Sequence, residues 1–523
     1  MQKIYKIKNV LISVYDKSNI IEFAKKLTQN DVSLFSTGGT SKKLRMSGIK
    51  VTELSDLVNF PEIMNGRIKT LHPKIYAGIL GNSNIDSKLF YGQDIIFFDM
   101  VVVNFYPFQK MLTNKNFKIE KMLEYIDIGG PSIIRAAIKN YNNIVTIVHP
   151  SDYNTILKYI DKSNITLNTR LNLAIKALTY ISNYDKVILK YFKSLNENNI
   201  IKNKNFPELL HTYYVKKQQL IYGENQHQKS CLYVRHPILR GSISSSFQAQ
   251  GKTLSFNNIL DADTALECVK EFKEPTCVIV KHGNPCSVST EESIFQAYQS
   301  AYEADSISAF GGVIAFNNPI DINIANMIIE NRFVEVIVTL PYDSSVERVM
   351  NQKPNVKILI IKNLYSKWRE LNFKYVSGGI LLQESDRKTI NINQWKLVST
   401  KSPNKQEMID IIFAWKIVKF VKSNAIIYVK NCKTIAIGAG QMSRIDATIL
   451  ANIKAKNRNQ DVNGAILASD AFLPFSDNVH EAAKLGISCI IQPGGSIRDQ
   501  EVIDTANKYN IAMIFTTIRH FRH

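Results

Sequence analysis

The chain has 523 residues, 45% hydrophobic and 21% charged, a composition that fits globular domains and excludes fibrous or wholly disordered classes. This length exceeds what one core supports, so two to four domains are expected. A net charge of +20 raises nucleic acid as a partner, but the lysines are dispersed with no dense basic block. That dispersal favours an ordinary basic surface, suited to attracting phosphorylated small molecules, with no nucleic acid expected.

The first part alternates strand and helix. Residues 10–14 read as a strand, 18–29 as a helix, 32–35 as a strand and 42–47 as a helix, with further strands at 51–54, 100–104 and 144–148. Such alternation predicts a parallel sheet covered by helices on both faces. The most apolar stretch, residues 95–105, is short and interrupted by Asp99, so it reads as a buried strand and no membrane span is expected. The first residues lack an apolar signal core, which favours the cytoplasm.

Ser36-Thr37-Gly38-Gly39-Thr40 joins a strand to a helix. Its glycines allow close approach, and the helix N-terminus suits an anion, although a plain tight turn has the same composition. Arg67 and Lys69 alternate, so an extended backbone places both cations on one face. Residues 101–106 form an apolar run ending in Asn104 and the phenol of Tyr106. Asp127 stands two residues before Gly129 in a Gly129-Gly130 helix start, and that helix carries Arg135 and Lys139 four residues apart. Lys69, Tyr106, Asp127 and Lys139 thus fall at the ends of successive elements, where open α/β sheets keep their sites.

Between residues 195 and 207 the pattern dissolves into Asn- and Lys-rich sequence, which sets a domain boundary and divides the chain into 1–198 and 199–523. Beyond it the chain is again mixed α/β, with a helix over 406–421, strands at 426–429 and 434–437, and no fixed-period repeat. The segment Thr276-Cys277-Val278-Ile279-Val280-Lys281-His282-Gly283-Asn284-Pro285 carries most of the chemistry. A β-favouring run meets a cation and a group that titrates near neutrality, and Gly-Asn-Pro is read as stopping the strand there. The pair suits a transfer that moves a proton while oxygen gains charge, though alone it also fits a solvated basic strand end.

Gly438-Ala439-Gly440 follows a strand, but Ser443 replaces the third glycine of a dinucleotide fingerprint, and no acidic residue follows at the required distance. The six cysteines are scattered and the histidines lack metal-binding spacing, so neither a disulfide framework nor a metal is expected.

The runs SVYDK, STGGT, NGRIKTLHP, VVVNFYPF and IDIGGPSIIRAAIKN resemble the cyclohydrolase half of a bifunctional purine-biosynthesis family. That family joins phosphoribosylaminoimidazolecarboxamide formyltransferase to inosine monophosphate cyclohydrolase. YGENQHQ, GKTLSFNN, KHGNPC, SAFGG, KSNA, GAGQMSR, SDAFLPF, QPGGS and the terminal RHFRH resemble its transformylase half. The resemblance implies an α/β protein: a methylglyoxal-synthase-like parallel domain, then cytidine-deaminase-like subdomains without zinc. It also implies nucleotide and folate substrates, with 10-formyltetrahydrofolate as the one-carbon donor, and a homodimer with transformylase sites between subunits.

By the same resemblance, Lys281, His282 and Asn424 serve formyl transfer, while Lys69, Tyr106, Asp127 and Lys139 serve ring closure. Ser13, Lys17, Ser36, Thr37, Gly38, Gly39 and Thr40 hold the cyclohydrolase phosphate, with further contacts from Arg67, Thr70, Asn104, Gly129 and Gly130. Arg444 and Arg519 hold the second phosphate, and Tyr222, Phe310, Gly311, Glu335, Phe472 and Asp477 line the nucleotide and folate pockets. The chain departs from the family pattern at Ile221, Gln226 and Ser287. A basic nucleic-acid binder on this fold, or an enzyme keeping only one activity, are the alternatives; the intact sets of ionisable residues weigh against both.

Overall fold

The computed structural model describes residues 6–61, 63–64, 68–82, 86, 95–112, 118–161, 165–195, 206, 210, 212–331, 333–364, 371–388 and 390–523. Two compact units, Met1–Pro207 and Glu208–His523, divide the chain. The boundary read from sequence at 198/199 lies outside the described residues.

In the first unit β1 (Asn9–Val14), β2 (Ser33–Ser36), β3 (Thr52–Glu53), β4 (Met100–Asn104) and β5 (Val145–Ile147) form a parallel sheet. Its order is β3-β2-β1-β4-β5. The helices are α1 (Ile20–Gln29), α2 (Gly38–Met46), α3 (Leu54–Val58), α4 (Pro73–Leu80), α5 (Phe108–Met111), α6 (Ile119–Leu123), α7 (Gly129–Lys139), α8 (Tyr153–Asp161) and α9 (Leu167–Ser194). Alternate residues of β1 enter two different cores. Val10, Ile12 and Val14 meet Phe23, Leu27 and Ile156 on one face, while Leu11 joins Val101, Ile75, Ile134 and Ile181 on the other. Burial of both faces explains why these strands are apolar almost throughout.

The second unit opens with a two-stranded sheet of β6 (Tyr214–Gln219) and β7 (Cys231–Arg235). There follow β8 (Phe247–Gln250), α10 (Phe256–Val269), β9 (Thr276–Lys281), β10 (Asn284–Thr290), α11 (Ile294–Ala304), α12 (Ser306–Ala309) and β11 (Val313–Phe316). Then come α13 (Ile322–Asn331), β12 (Val336–Thr339), α14 (Ser344–Met350), β13 (Lys357–Ile360) and a hairpin of β14 (Leu371–Val376) and β15 (Gly379–Glu384). The last stretch is β16 (Lys396–Leu397), α15 (Lys405–Val418), β17 (Ile426–Lys430), β18 (Lys433–Gly438), α16 (Arg444–Asn457), β19 (Ile466–Ser469), α17 (Asp477–Lys484), β20 (Cys489–Gln492), α18 (Asp499–Lys508) and β21 (Ala512–Phe515).

Twelve of these strands form one sheet in the order β16-β21-β20-β19-β17-β18-β10-β9-β11-β12-β13-β8. The order is two copies of one arrangement, back to back. Each copy has an antiparallel hairpin, three mutually parallel strands beside it and an antiparallel closing strand. The duplication is one of topology; no repeat of fixed period accompanies it in the sequence. The helices α10 and α15 share a single core, where Val278, Val280 and Leu266 meet Ile411, Trp415, Ile427 and Val429. On the opposite face each copy keeps its own core.

One local expectation is corrected. The strand at Thr276–Lys281 does not stop at Gly-Asn-Pro. Asn284 pairs opposite Lys281, so His282 and Gly283 form a two-residue hairpin turn. Their φ values of +54° and +72° suit the mirror-image turn that matches strand twist. Pro285 is tolerated in β10 beside the register shift between Pro285 and Ser287.

Candidate active sites

In the first unit the site edge is the carboxyl end of the parallel sheet, where β1, β2 and β4 feed into loops. Asn104, at the end of β4, is buried; its Oδ1 accepts from the amides of Tyr15 and Asp16, both at 2.8 Å, and its Nδ2 donates to the Asp16 carbonyl. It therefore shapes the loop after β1. Ser36 Oγ donates to Ile12 O at 2.6 Å and Thr40 Oγ1 to Val14 O at 2.9 Å, so both hydroxyls serve the turn into α2. Ser13 Oγ and Thr37 Oγ1 stand 3.4 Å apart beside that helix start. Gly38 has a φ of +44°, and a side chain on Gly39 would meet open space.

Positive charge gathers here. The Lys17 ammonium donates to Val14 O and Tyr15 O, and burial holds its pKa below the ordinary lysine value, with Lys43 and Lys69 lowering it further. Lys17 thus feels two further cations, Lys69 and Lys43, the latter in the last turn of α2, and positive charge beside a helix start suits an anion. Lys43 escaped the sequence reading because it is an unremarked helix residue; its spacing from the glycine loop is the only signal that could have found it.

Asp127 Oδ1 accepts the Gly130 amide at 2.9 Å. Burial raises its carboxyl above the ordinary value, opposed by that amide and by Lys69. A Cβ at Gly129 would lie 2.5 Å from Thr70 Oγ1, and one at Gly130 would meet the Phe105 ring, so both glycines permit close packing at the start of α7. Tyr106 is exposed, with its ring 4.8 Å from that of Tyr15. Lys69 and Asp127 thus interact, with Thr70 against Gly129. Lys139 does not join them: it is the last residue of α7 and exposed. Nine residues of helix separate it from Gly130, roughly 13 Å. A crossover helix runs antiparallel to its strands, so its two ends lie at opposite edges of the sheet. Arg67 lies outside the described residues.

In the second unit Lys281 Nζ donates to Phe310 O at 2.7 Å, and His282 is exposed at the tip of the hairpin. The Phe310 ring is 59% exposed and 5.4 Å from that of Phe333. Gly311 has a φ of +70° and its amide donates to Phe333 O at 2.8 Å. Glu335 accepts from Asn258 Nδ2 at 2.9 Å and lies 3.4 Å from Lys357 Nζ. Tyr222 is half-buried, its carbonyl accepting from Ser230 Oγ, while Ile221 is exposed.

The second copy faces this turn from across the β10–β18 pairing. The Lys422 amide donates to Asn284 Oδ1 at 2.9 Å. Asn424 donates to Gln441 O at 2.9 Å and Met442 O at 3.1 Å, and its Oδ1 accepts from Arg444 Nη2 at 2.8 Å. Arg444 is buried; its Nη1 bonds Ser469 Oγ and pairs with the fully buried Asp470. Its guanidinium is thus engaged inside the protein, bracing Asn424, and does not stand free for phosphate. Asp470 also accepts from Ser423 Oγ and the Ala425 amide. Its place in this network escaped the sequence reading, since the pairing spans 26 residues. Arg519 is exposed over the Phe521 ring at 4.5 Å, Phe472 is exposed, and Asp477 Oδ1 accepts from the Asn478 amide at 2.7 Å. Gly438 is explained by packing: a Cβ there would lie 1.9 Å from Ala447 O.

Comparison with known proteins decides what this arrangement belongs to. A family model described as AICARFT/IMPCHase bienzyme matches residues 137–454, and one described as MGS-like domain matches residues 19–132. The chain belongs to the AICARFT/IMPCHase bienzyme family. It is 51% identical over 520 residues, 99% of each chain, to the bifunctional purine biosynthesis protein PurH of Buchnera aphidicola subsp. Schizaphis graminum (strain Sg). It is 49% identical over 521 residues, again 99% of each, to that of Buchnera aphidicola subsp. Acyrthosiphon pisum (strain Tuc7). A solved structure, the crystal structure of ForH, aligns with 35% of this chain and 96% of its own at 29% identity, with a TM-score of 0.33.

As a bienzyme of this family the chain carries out formyl transfer and cyclohydrolase ring closure in inosine monophosphate synthesis, with 10-formyltetrahydrofolate as the formyl donor. Among the described residues no group of three or more His, Cys, Asp or Glu side chains could hold a metal ion, and no helix is long and apolar enough to cross a membrane.

Proposed function

We propose that the two reactions are divided between the units, with ring closure at the Lys69–Asp127 edge of the first and formyl transfer at the Lys281-His282 turn of the second. The observation that carries this reading is the hairpin turn itself. It holds an exposed imidazole next to an ammonium fixed on Phe310 O.

In formyl transfer the 5-amino group of aminoimidazolecarboxamide ribonucleotide attacks the formyl carbon, forming the C–N bond. His282 accepts the amine proton as it does so. Lys281 stabilises the oxyanion that forms on the formyl oxygen. The bond to the folate nitrogen then breaks, and that nitrogen leaves with a proton returned by His282 or Lys281. Asn424, braced by Arg444, faces the same region, and the exposed rings of Phe310 and Phe472 offer apolar surfaces to the folate. Arg519 is the cation open to phosphate, with a planar fork that adds geometry to charge.

In ring closure the carboxamide nitrogen attacks the tethered formyl carbon and water departs. Much of the rate comes from holding the chain in the reactive rotamer. Asp127, with its raised carboxyl, exchanges the proton, while Lys69 and Tyr106 stabilise the developing alkoxide. Lys17, Lys43 and the start of α2 hold the phosphate. Following tetrahydrofolate from aminoimidazolecarboxamide ribonucleotide and 10-formyltetrahydrofolate reads the second site, and following inosine monophosphate from supplied formylated nucleotide reads the first. Loss of both separately assayed activities in a folded His282 or Asp127 variant would refute the division.

The working form is a homodimer in the cytoplasm. The β14–β15 hairpin supports the dimer, because Tyr375 is 79% exposed and Leu381 59% exposed, and a lone two-stranded hairpin is marginal in water. Sedimentation equilibrium checks this, a monomer at assay concentration being the contrary result.

A further inference from the structure

The two copies in the second unit carry the same device under their hairpin turns. In the second copy, residues 431 and 432 form the two-residue turn, since Lys430 pairs with Lys433, and both have φ of +53°. Their amides are held by one carboxylate: Asp410 Oδ2 accepts from Asn431 N at 2.9 Å and Oδ1 from Cys432 N at 2.7 Å. Asp410 is the sixth residue of α15, a helix that opens with a capping box between Asn404 and Glu407. In the first copy, Asp261 is the sixth residue of α10, which opens with a capping box between Ser255 and Asn258. Asp261 Oδ1 accepts from Gly283 N at 2.6 Å, and the His282 amide bonds the same carboxylate.

The devices match, but what they carry differs. The second turn presents Asn431 and Cys432, and burial pushes the Cys432 thiol up to about 11, so it offers no base near neutrality. The first turn places an imidazole where its copy has asparagine. A positive φ is uncommon for a residue with a side chain, and histidine adopts it only where the surroundings hold it there.

We propose that Asp261 is the positioning residue of the formyl-transfer site: its carboxylate holds the left-handed His282-Gly283 turn and so sets the direction in which the imidazole leaves the sheet. This rests on the reading of His282 as the base. Asp261 acts from beneath the turn, through the backbone, and Asp410 performs the same structural task with no catalytic group above it. The protein therefore contains its own control.

The test compares Asp261→Ala, Asp410→Ala, His282→Ala and the double variant Asp261→Ala/His282→Ala in the full chain. Thermal unfolding monitors structure and single-turnover formyl transfer monitors chemistry. Asp261→Ala is expected to slow formyl transfer by roughly 10- to 100-fold, the scale of a misplaced catalytic group. Asp410→Ala should lower the melting temperature comparably, yet change the formyl-transfer rate by less than about threefold. On the His282→Ala background, Asp261→Ala should cost nothing more. Equal rate losses in the two Asp→Ala variants, or an undiminished Asp261 effect without His282, would overturn the proposal. Full activity in His282→Ala would instead sink the reading beneath it. If Asp261→Ala folds poorly, Asp261→Asn decides: it keeps the Oδ1 acceptor and should recover at least about a third of the rate, and failure to do so in a folded variant counts against the role.

Discussion

The Tyr184 hydroxyl lies 2.7 Å from the Asp127 backbone nitrogen and accepts its hydrogen bond. Burial pushes the phenol up to about 12, so it remains protonated and also donates to Tyr125 O at 3.3 Å. One helical turn earlier, Tyr180 accepts from the Phe105 amide at 3.1 Å. The long α9, which carries no motif of its own, thus braces both loops of the ring-closure site. Tyr184→Phe leaves the Asp127 amide without its acceptor, a loss of about 1–3 kcal/mol when such a group stays buried. Ring closure should slow and formylated intermediate accumulate, while formyl transfer proceeds at the wild-type rate; unchanged inosine monophosphate output would remove α9 from the site.

Asp127→Asn separates chemistry from packing. Burial raises the Asp127 carboxyl above 3.8 despite the Gly130 amide and Lys69. A carboxyl whose folded value exceeds its unfolded one favours the fold at low pH, and that contribution disappears as pH rises through the raised value. The neutral amide avoids this, so the variant should match or exceed wild-type stability at pH 7, with any advantage gone below about pH 4. Ring closure should nevertheless fall sharply. Melting curves at both pH values, run beside an assay of the intermediate, check the two statements together.

His282→Ala is expected to reduce formyl transfer by at least about 100-fold, the scale of a lost acid-base group. Cyclisation of supplied formylated nucleotide should continue.

Lys43→Ala should raise the cyclohydrolase KM roughly three- to tenfold with little change in kcat, because phosphate is held alike in ground and transition states. The effect should shrink in higher salt, as screening predicts for a partly exposed cation. A kcat defect with unchanged KM would place Lys43 outside the phosphate site.

Ser287, where the family pattern has glycine, sits buried in β10, and its Oγ has no hydrogen-bond partner among the described residues. Ser287→Ala removes that orphaned hydroxyl and should stabilise the protein by about 1 kcal/mol. Thermal or denaturant unfolding measures it, and a lower midpoint would reveal an unseen partner.

The parallel sheet of the first unit was legible because βα alternation and uninterrupted apolar strands are local signals. The sites were legible only as sets of residue types. Sequence spacing puts Lys139 on a helix after Asp127, but it does not say that a crossover helix carries its last residue to the far edge of the sheet. Arg444 and Asn104 read as groups turned towards a ligand; both face inward, and their partners, Asp470 and the loop amides at Tyr15 and Asp16, become visible only in three dimensions. Pro285 reads as a strand stop because a register shift that accommodates it leaves no mark in one strand alone.

The joint core beneath α10 and α15 makes the duplicated halves of the second unit inseparable in folding. Val278 and Val280 from one half pack in the same cluster as Ile427 and Val429 from the other. A chain cut at the β14–β15 hairpin would bare that apolar layer and leave β10 and β18 as open edges, the surfaces on which isolated sheets aggregate. Neither fragment would be expected to melt as an independent unit, and the intact unit should unfold in a single transition.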